Sequence, residues 1–369
     1  MREMQVERIA RRPLVMEPRL REKRLWRGLA SFAGPAFFWA LSLWLLPCAP
    51  VWGAVLLGLA NGGIISLLFI VAHDAAHGIL VPGRRLNALL GRVCLLPALH
   101  NYTAWRHHHN GLHHSFTNIR GRDNAYPPWS PEEYAAASLL ARWVYRFKRS
   151  LCGLWLLYFH DMWLRWDVFP CAERAPKRRV AFQMDRLLVL GFVIAWVTVL
   201  VWRTKVSGGS PVVAVWSGFV LPQLVWNWLG AFVVLQQHTH PEIPWYTWEE
   251  RAGSSAKAAH QAASSPHLVF HLGSQFLMRN VMEHAAHHID PQIPHYRLAE
   301  AQDLAEREAS LRILRVRWTP AVFLRTLRVC RLYDYREHRW TDYDGRPLTE
   351  SLVGAVPVER ALHDAPVAS

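Results

Sequence analysis

The sequence predicts an all-α integral membrane protein: four transmembrane helices in two hairpins, with a cytoplasmic helical cap that holds a metal site. Three observations predict it. Four apolar runs, at about 29–46, 51–72, 187–202 and 212–235, approach the ~20 residues needed to cross a bilayer. Lys and Arg crowd the segments that flank those runs. Three histidine clusters, His73 with His77, His109 with His113 and His114, and His284 with His287 and His288, carry spacings of three and four. On a helix such residues share a face, so each cluster can aim two or three imidazoles at one point.

Composition supports a membrane location. At 51% hydrophobic residues with 19 Trp, the 369-residue chain is more apolar and aromatic than an ordinary soluble domain. A net charge of +14 raises the question of nucleic acid, but the cations sit beside apolar runs and no nucleic-acid motif accompanies them. They read instead as contacts with anionic headgroups and as positive-inside signals. Cys48, Cys94, Cys152, Cys171 and Cys330 are scattered, odd in number and free of C-x-x-C pairs, so they read as buried thiols.

In chain order, residues 1–28 form a basic cytoplasmic segment with Arg8, Arg11, Arg12, Arg19, Arg21, Lys23, Arg24 and Arg27. The segment lacks the short apolar core of a signal peptide, so targeting falls to the first span. Pro47 to Pro50 turns the first run into the second, which continues into His73 and His77. Leu89 to Leu99 is too short to span and reads as re-entrant or interfacial. Tyr102 to Thr117 reads as a helix on which His109 and His113 share a face while His107 and His108 are rotated away. Ser130-Pro131 opens a capped helix, and Arg142 to Trp166 suits a helix lying along the interface or under the cap. Lys177, Arg178 and Arg179 precede the third span, and a polar loop at Gly208 leads to the fourth.

The fourth span runs into Leu235-Gln-Gln-His238-Thr-His240-Pro241. Gly253 to Pro266 reads as a flexible or loosely helical connection. Apolar spacing from Leu268 to His288 carries the third cluster, Thr319-Pro320 starts a basic amphipathic helix to about Leu332, and residues 346–369 form a loosely ordered tail. Eight histidines in three clusters, with His238 as a ninth, exceed what one ion can hold, so two metal ions are implied. Neutral imidazole suits Zn, Cu, Ni and Fe alike. Glu-x-x-His pairs are missing, which separates the site from soluble carboxylate-bridged bundles. Asp74, Glu283 and Asp290 stand between orienting ring nitrogens and merely capping or solvating helices. Trp202, Trp226 and Trp228 read as an interface belt.

These residues resemble the membrane fatty acid desaturases and hydroxylases with three histidine boxes. The match covers His73-Asp-Ala-Ala-His77, then Trp105-Arg106 with His109, His113, His114 and Thr117-Asn118, then His284-Ala-Ala-His287-His288 running into Ile293-Pro-His-Tyr296. The His238 segment, together with Cys330-Arg-Leu-Tyr333 and Trp340, resembles the subgroup that acts on acyl chains in lipids. The resemblance implies a desaturase domain over 29–345 and two Fe ions on His73, His77, His109, His113, His114, His238, His284, His287 and His288, with His238 preferred to His240. It implies O2-dependent removal of hydrogen from an unactivated CH2 pair of a lipid acyl chain. Because the sequence contains no His-Pro-Gly-Gly haem segment, electrons are expected from a separate ferredoxin or cytochrome b5-type carrier. The 253–266 stretch departs from the Trp- and Arg-bearing connection of plant-type members.

Two other readings remain at this level. An acyl-chain hydroxylase or carotenoid ketolase shares the fold, and differs only in where the substrate carbon rests. A transition-metal transporter or sensor uses the same ligands, but such sites lie at mid-membrane on broken spans, whereas here the histidines follow the spans on one face. Topology is directly testable: tags at the N-terminus, near Ala172 and at the C-terminus should all report the cytoplasm, and a tag at Gly208 the opposite side. A tag at Ala172 on the Gly208 side breaks the four-span scheme.

Overall fold

The structure is a computed structural model that describes residues 16–250, 257–308 and 311–353. Arg8, Arg11 and Arg12, the start of the Ala/Ser-rich connection at Gly253, and the tail beyond Val353 lie outside the described residues.

Helix α1 (Leu25–Leu45) passes through a single 3-10 turn, Leu46–Cys48, into α2 (Val51–His77). Helix α3 (Arg84–Leu95) follows, then α4 (Tyr102–Arg106), a π-helical segment His107–His113 and α5 (His114–Phe116). A loop leads to α6 (Pro131–Ala136) and α7 (Leu139–Lys148), and then to α8 (Leu154–Leu156) with its π-helical continuation Leu157–Val168. Next are α9 (Arg179–Val206) and α10 (Pro211–Val215), which continues through π-helical Trp216–Val220 into α11 (Leu221–His238). Short helices α12 (Lys257–Ala263), α13 (His284–Ile289), α14 (Leu298–Arg307) and α15 (Pro320–Val329) complete the helical set. Strand β1 (His267–Val269) pairs in parallel with β2 (Arg315–Arg317), and β3 (Leu332–Asp334) pairs antiparallel with β4 (Arg339–Thr341).

Four helical stretches, 25–48, 51–77, 179–206 and 211–238, are long and apolar enough to cross a membrane. They turn large apolar side chains outward, among them Phe37, Phe38, Trp52, Leu187, Ile194 and Val212, a surface that suits hydrocarbon. What draws two of them together is the absence of side chains. A Cβ on Gly58 would lie 2.3 Å from the Ser217 carbonyl oxygen, and one on Gly62 would lie 2.4 Å from Val225 Cβ. Glycines four apart therefore form a flat stripe on α2 against which the fourth span rests, with dispersion contact replacing the hydrophobic drive that lipid cannot supply. This contact joins the helices that end in His73, His77 and His238. Gly78, at a φ of 74°, then stops α2 one residue after His77 by placing the Gly78 and Ile79 N–H groups on the Ala75 and Asp74 carbonyls.

Several expectations of detail are met. Ser130 and Glu133 form a reciprocal capping box with Pro131 at the first helical position, and Thr319 Oγ1 accepts from Val322 N ahead of Pro320. Others need correction. The 142–166 stretch is two helices, because Arg149 to Gly153 turns the chain and Gly153 packs where any Cβ would strike the Phe147 carbonyl. The third histidine cluster rides on the six-residue α13, preceded by β1, the 3-10 turn His271–Phe276 and irregular turns, and not by a long helix. Of the five thiols, Cys94 and Cys330 are buried but Cys48, Cys152 and Cys171 are exposed. Residues 346–353 are held to the β3–β4 hairpin by Leu348 N to Trp340 O and Leu352 N to His338 O.

Candidate metal centre

Nine histidines from four stretches of chain meet at the ends of α2 and α11. Their ring nitrogens fall into two groups, His73, His77, His109, His114 and His287 in one, and His113, His238, His284 and His288 in the other. Within each group the candidate ligand atoms lie within 4.8 Å of one another. The second and third boxes are therefore divided between the groups, while the first stays whole. Adjacent residues on an α-helix point ~100° apart, which sends His287 to one group and His288 to the other.

The second cluster is divided for a different reason, and here the α-helical expectation fails. The backbone from His107 to His113 is π-helical, with a wider turn than an α-helix, so His113 and His114 fall on opposite sides of the line through His109. His114 Nε2 lies 3.1 Å from His109 Nε2, and His287 Nε2 lies 3.1 Å from His114 Nε2, while His113 turns to the other group. His107 is half-buried and His108 is buried. Neither joins a group, and His108 Nε2 donates instead to the Arg174 carbonyl at 3.0 Å. His240 is likewise outside both groups. Its Nδ1 accepts from Glu242 N, and burial, with Arg325 adding to it, pushes it down to about 4.

The hydrogen bonds on the far side of the rings decide which nitrogens carry lone pairs. His113 Nδ1 donates to Asp123 Oδ1 at 2.7 Å, and His288 Nδ1 donates to Gln261 Oε1 at 2.7 Å. Each imidazole is then left with a bare Nε2, and these two atoms face one another at 3.2 Å. Two lone pairs at that separation cannot hydrogen-bond. His284 Nε2 adds a third close nitrogen, 2.9 Å from His288 Nε2 and 2.9 Å from His238 Nε2. Imidazole nitrogens ~2.1 Å from one ion and at right angles lie roughly 3.0 Å apart, so these separations are those of ligands around a shared cation. In the other group His77 Nε2 is buried with no hydrogen-bond partner, and His73 Nδ1 donates to Asp74 at 3.2 Å, which leaves its Nε2 bare.

Electrostatics agree. Burial first, and neighbouring imidazoles second, hold His109, His114, His284, His287 and His288 well below the usual histidine range. These rings are neutral at pH 7, and no proton competes for the lone pair. For Asp123 burial alone would push the carboxyl up, but the charge and hydrogen bond of His113 outweigh it and keep the group below the usual carboxylate range. The donor set, nine imidazoles with carboxylates only behind them, fits a pair of transition-metal ions.

Both groups open on one largely apolar cavity. His73 and His109 reach it from one group, and His113, His238 and His284 from the other. Phe69, Trp105, Trp226, Val233 and Val234 supply its apolar wall. Polar groups interrupt that wall, among them Tyr158 and His100, which lie 3.2 Å apart, and Asp167, which stands 3.5 Å from His100 and 3.4 Å from His108.

The model of the fatty acid desaturase family matches residues 50–321, which include every one of the nine histidines. The chain belongs to the fatty acid desaturase family. It is 25% identical over 311 residues to a chloroplastic omega-6 fatty acid desaturase of Glycine max, covering 83% of this chain and 67% of that one. It is 26% identical over 326 residues to an sn-1 oleoyl-lipid 12-desaturase of Picosynechococcus sp., covering 87% and 86% of the two chains. A similar oleoyl-lipid desaturase of Arthrospira platensis is 28% identical over 250 residues, 64% of each chain. With four helices of spanning length, this desaturase is a metal-dependent oxidoreductase of the membrane.

Sequence reasoning missed several residues on which the desaturase site rests. Asp123 lies ten positions past His113, brought back by a turn through Gly121, and it also accepts from Asn118 N and Ala125 N. Gln261 holds His288 with Oε1 and the His114 carbonyl with Nε2, so the 253–266 stretch, read as a loose connection, supplies a support for the site through α12. Of the three carboxylates considered, Asp74 does back the site, joining His73 to His295. Glu283 pairs with His267 and Asp290 with Arg21, so neither touches a clustered imidazole. Trp202 is exposed as expected of a belt, but Trp226 is buried on the cavity wall, because α11 turns that face toward α2.

Asp123→Asn should weaken the His113 group without unfolding the spans. Loss of such a carboxylate behind a ligand lowers metal affinity by about 10- to 100-fold. Competition with a chelator should show one of two ions leaving early, whereas unchanged retention of both denies Asp123 its orienting role.

Proposed function

We propose that the protein is an acyl-lipid desaturase that uses O2 and electrons from a separate ferredoxin or cytochrome b5-type carrier to place a double bond in a lipid acyl chain. The two ions are iron. One is held by His73, His77, His109, His114 and His287, and the other by His113, His238, His284 and His288. The observation that carries this reading is that two separate nests of bare imidazole nitrogens open on the same apolar cavity. Two redox metals beside a hydrocarbon-shaped space suit attack on an unactivated CH2 group.

When bound, the iron pair supplies the O2-dependent oxidising power that takes two hydrogens from adjacent carbons. The chain supplies placement. Phe69, Trp105, Trp226, Val233 and Val234 remove water from around the acyl chain and hold it extended past the imidazoles. Asp123, Gln261 and Asp74 keep the ring protons on the far nitrogens, so that the near ones stay on the metal side. Two electrons and two protons from outside the chain complete the reduction of O2 to two waters. The four spans are arranged as two hairpins with both termini and the histidine-bearing end in the cytoplasm, where a soluble or membrane-bound reductant can reach it. Basic residues on that side serve headgroups and an acidic carrier alike.

The test is expression in a host with a simple fatty-acid profile, followed by mass spectrometry of its lipids. New acyl species lighter by two hydrogens are the expected result. Species heavier by one oxygen would make the protein a hydroxylase on the same fold, and a changed cellular metal content with unchanged lipids would make it a transporter.

A further inference from the structure

The acyl cavity shares two residues, Asn124 and Trp166, with a second pocket formed by α7, the 157–168 π-helix and the loop at 121–129. Its lining adds a cluster of cations. Lys148, Arg149, Arg165 and Arg174 contribute four cations against two carboxylates, Asp123 and Asp161. Both carboxylates are already engaged, Asp123 by His113 and Asp161 by Lys148 Nζ at 2.8 Å and His160 Nδ1 at 2.6 Å. The arginines have only neutral partners. Arg149 is buried, donates from Nη2 to the Tyr126 carbonyl at 2.8 Å, and lies over the Tyr145 ring. Arg174 lies 4.4 Å from the centre of the Trp166 ring. Among the described residues, no Asp or Glu forms an ion pair with Arg149, Arg165 or Arg174. Buried Arg149 has left water without gaining a counter-charge, which is costly, and half-buried Arg174 and exposed Arg165 add unneutralised positive charge beside it, so the pocket favours an incoming anion.

We propose that this pocket receives an anionic group at the head of the acyl substrate, a phosphate or a carboxylate, while the acyl chain lies in the adjoining cavity beside the imidazoles. The inference rests on the desaturase reading and narrows its substrate class. Planar guanidinium groups match the oxygens of either anion in two-point contact. The concavity and size of the site suit a small-molecule head, whereas a carrier protein docks on a broad surface. Trp166 is the joint between the two spaces. It lines both pockets, carries Arg174 on its ring, and meets His108 edge-on at 5.1 Å.

Binding separates this proposal from turnover. The full chain in detergent is titrated with dioctanoyl phosphatidylglycerol, decanoate and neutral dioctanoylglycerol, and compared with R165Q/R174Q and with the charge-keeping R165K/R174K. Wild type should bind an anionic probe at least about tenfold more tightly than the neutral one, as expected for a charge-assisted two-point contact. R165Q/R174Q should lose most of that preference and keep its affinity for dioctanoylglycerol, and R165K/R174K should retain a large part. Phosphatidylglycerol ahead of decanoate assigns a phosphate, and the reverse assigns a carboxylate. Equal affinity for all three probes, or an unchanged preference in R165Q/R174Q, overturns the proposal. Preferential binding in a chain that makes no double bond in any lipid contradicts the desaturase reading and leaves the anion site standing.

Discussion

His113 and His288 donate from Nδ1 to Asp123 and Gln261, and so turn two bare Nε2 atoms toward each other at 3.2 Å. Lone pairs this close, on buried rings, repel unless a cation lies between them. The rest of the architecture keeps them there. Close approach of α2 and the fourth span at Gly58 and Gly62 holds His73, His77 and His238 in position. Asp74 ties the first box to His295, just past the third. Alone, each support is a single hydrogen bond or packing contact, worth ~1 kcal/mol or a little more. Jointly they hold nine imidazoles in two close groups.

Placing this polar centre at the end of an apolar cavity gives it chemical purpose. Hydrocarbon offers no hydrogen bonds by which a substrate can be oriented, so shape and water exclusion must do that work. Much of the cavity wall is aromatic and branched-chain, and His100, Tyr158 and Asp167 form a linked polar group within it. A charged pocket adjoins it through Trp166 and Asn124. The molecule thus offers in sequence what an acyl lipid offers: a polar head, then a chain.

The spans and the three histidine clusters were legible through local marks, a run of about the ~20 apolar residues that hydrocarbon demands or a three-to-four spacing, whereas His238 was preferred to His240 only through the resemblance. What lay beyond a local pattern was not. Residue spacing cannot announce a π-helix, so the pairing of His109 with His114, five apart, was misread as a pairing with His113. Asp123 and Gln261 are ordinary residues in ordinary composition, and only the return of a loop and the docking of α12 bring them to His113 and His288. Trp226 on α11 is buried and Trp202 on α9 exposed, and no window average records which helix face meets another helix. The third cluster resumes apolar spacing yet rides on a helix of six residues, because β1 and a 3-10 turn take up the stretch before it.

The central claim is that neighbouring histidines serve different ions, and metal counting tests it most directly. Protein purified from iron-replete cells should carry close to two irons per chain. His287→Ala and His288→Ala alter adjacent residues on α13, yet each should lower the count to about one, and the double variant should carry almost none. Spectra of the single variants should differ, since each retains a different ion. A wild-type protein that saturates at one ion, or two single variants with the same residual spectrum, would contradict the division of the nine imidazoles into two sites.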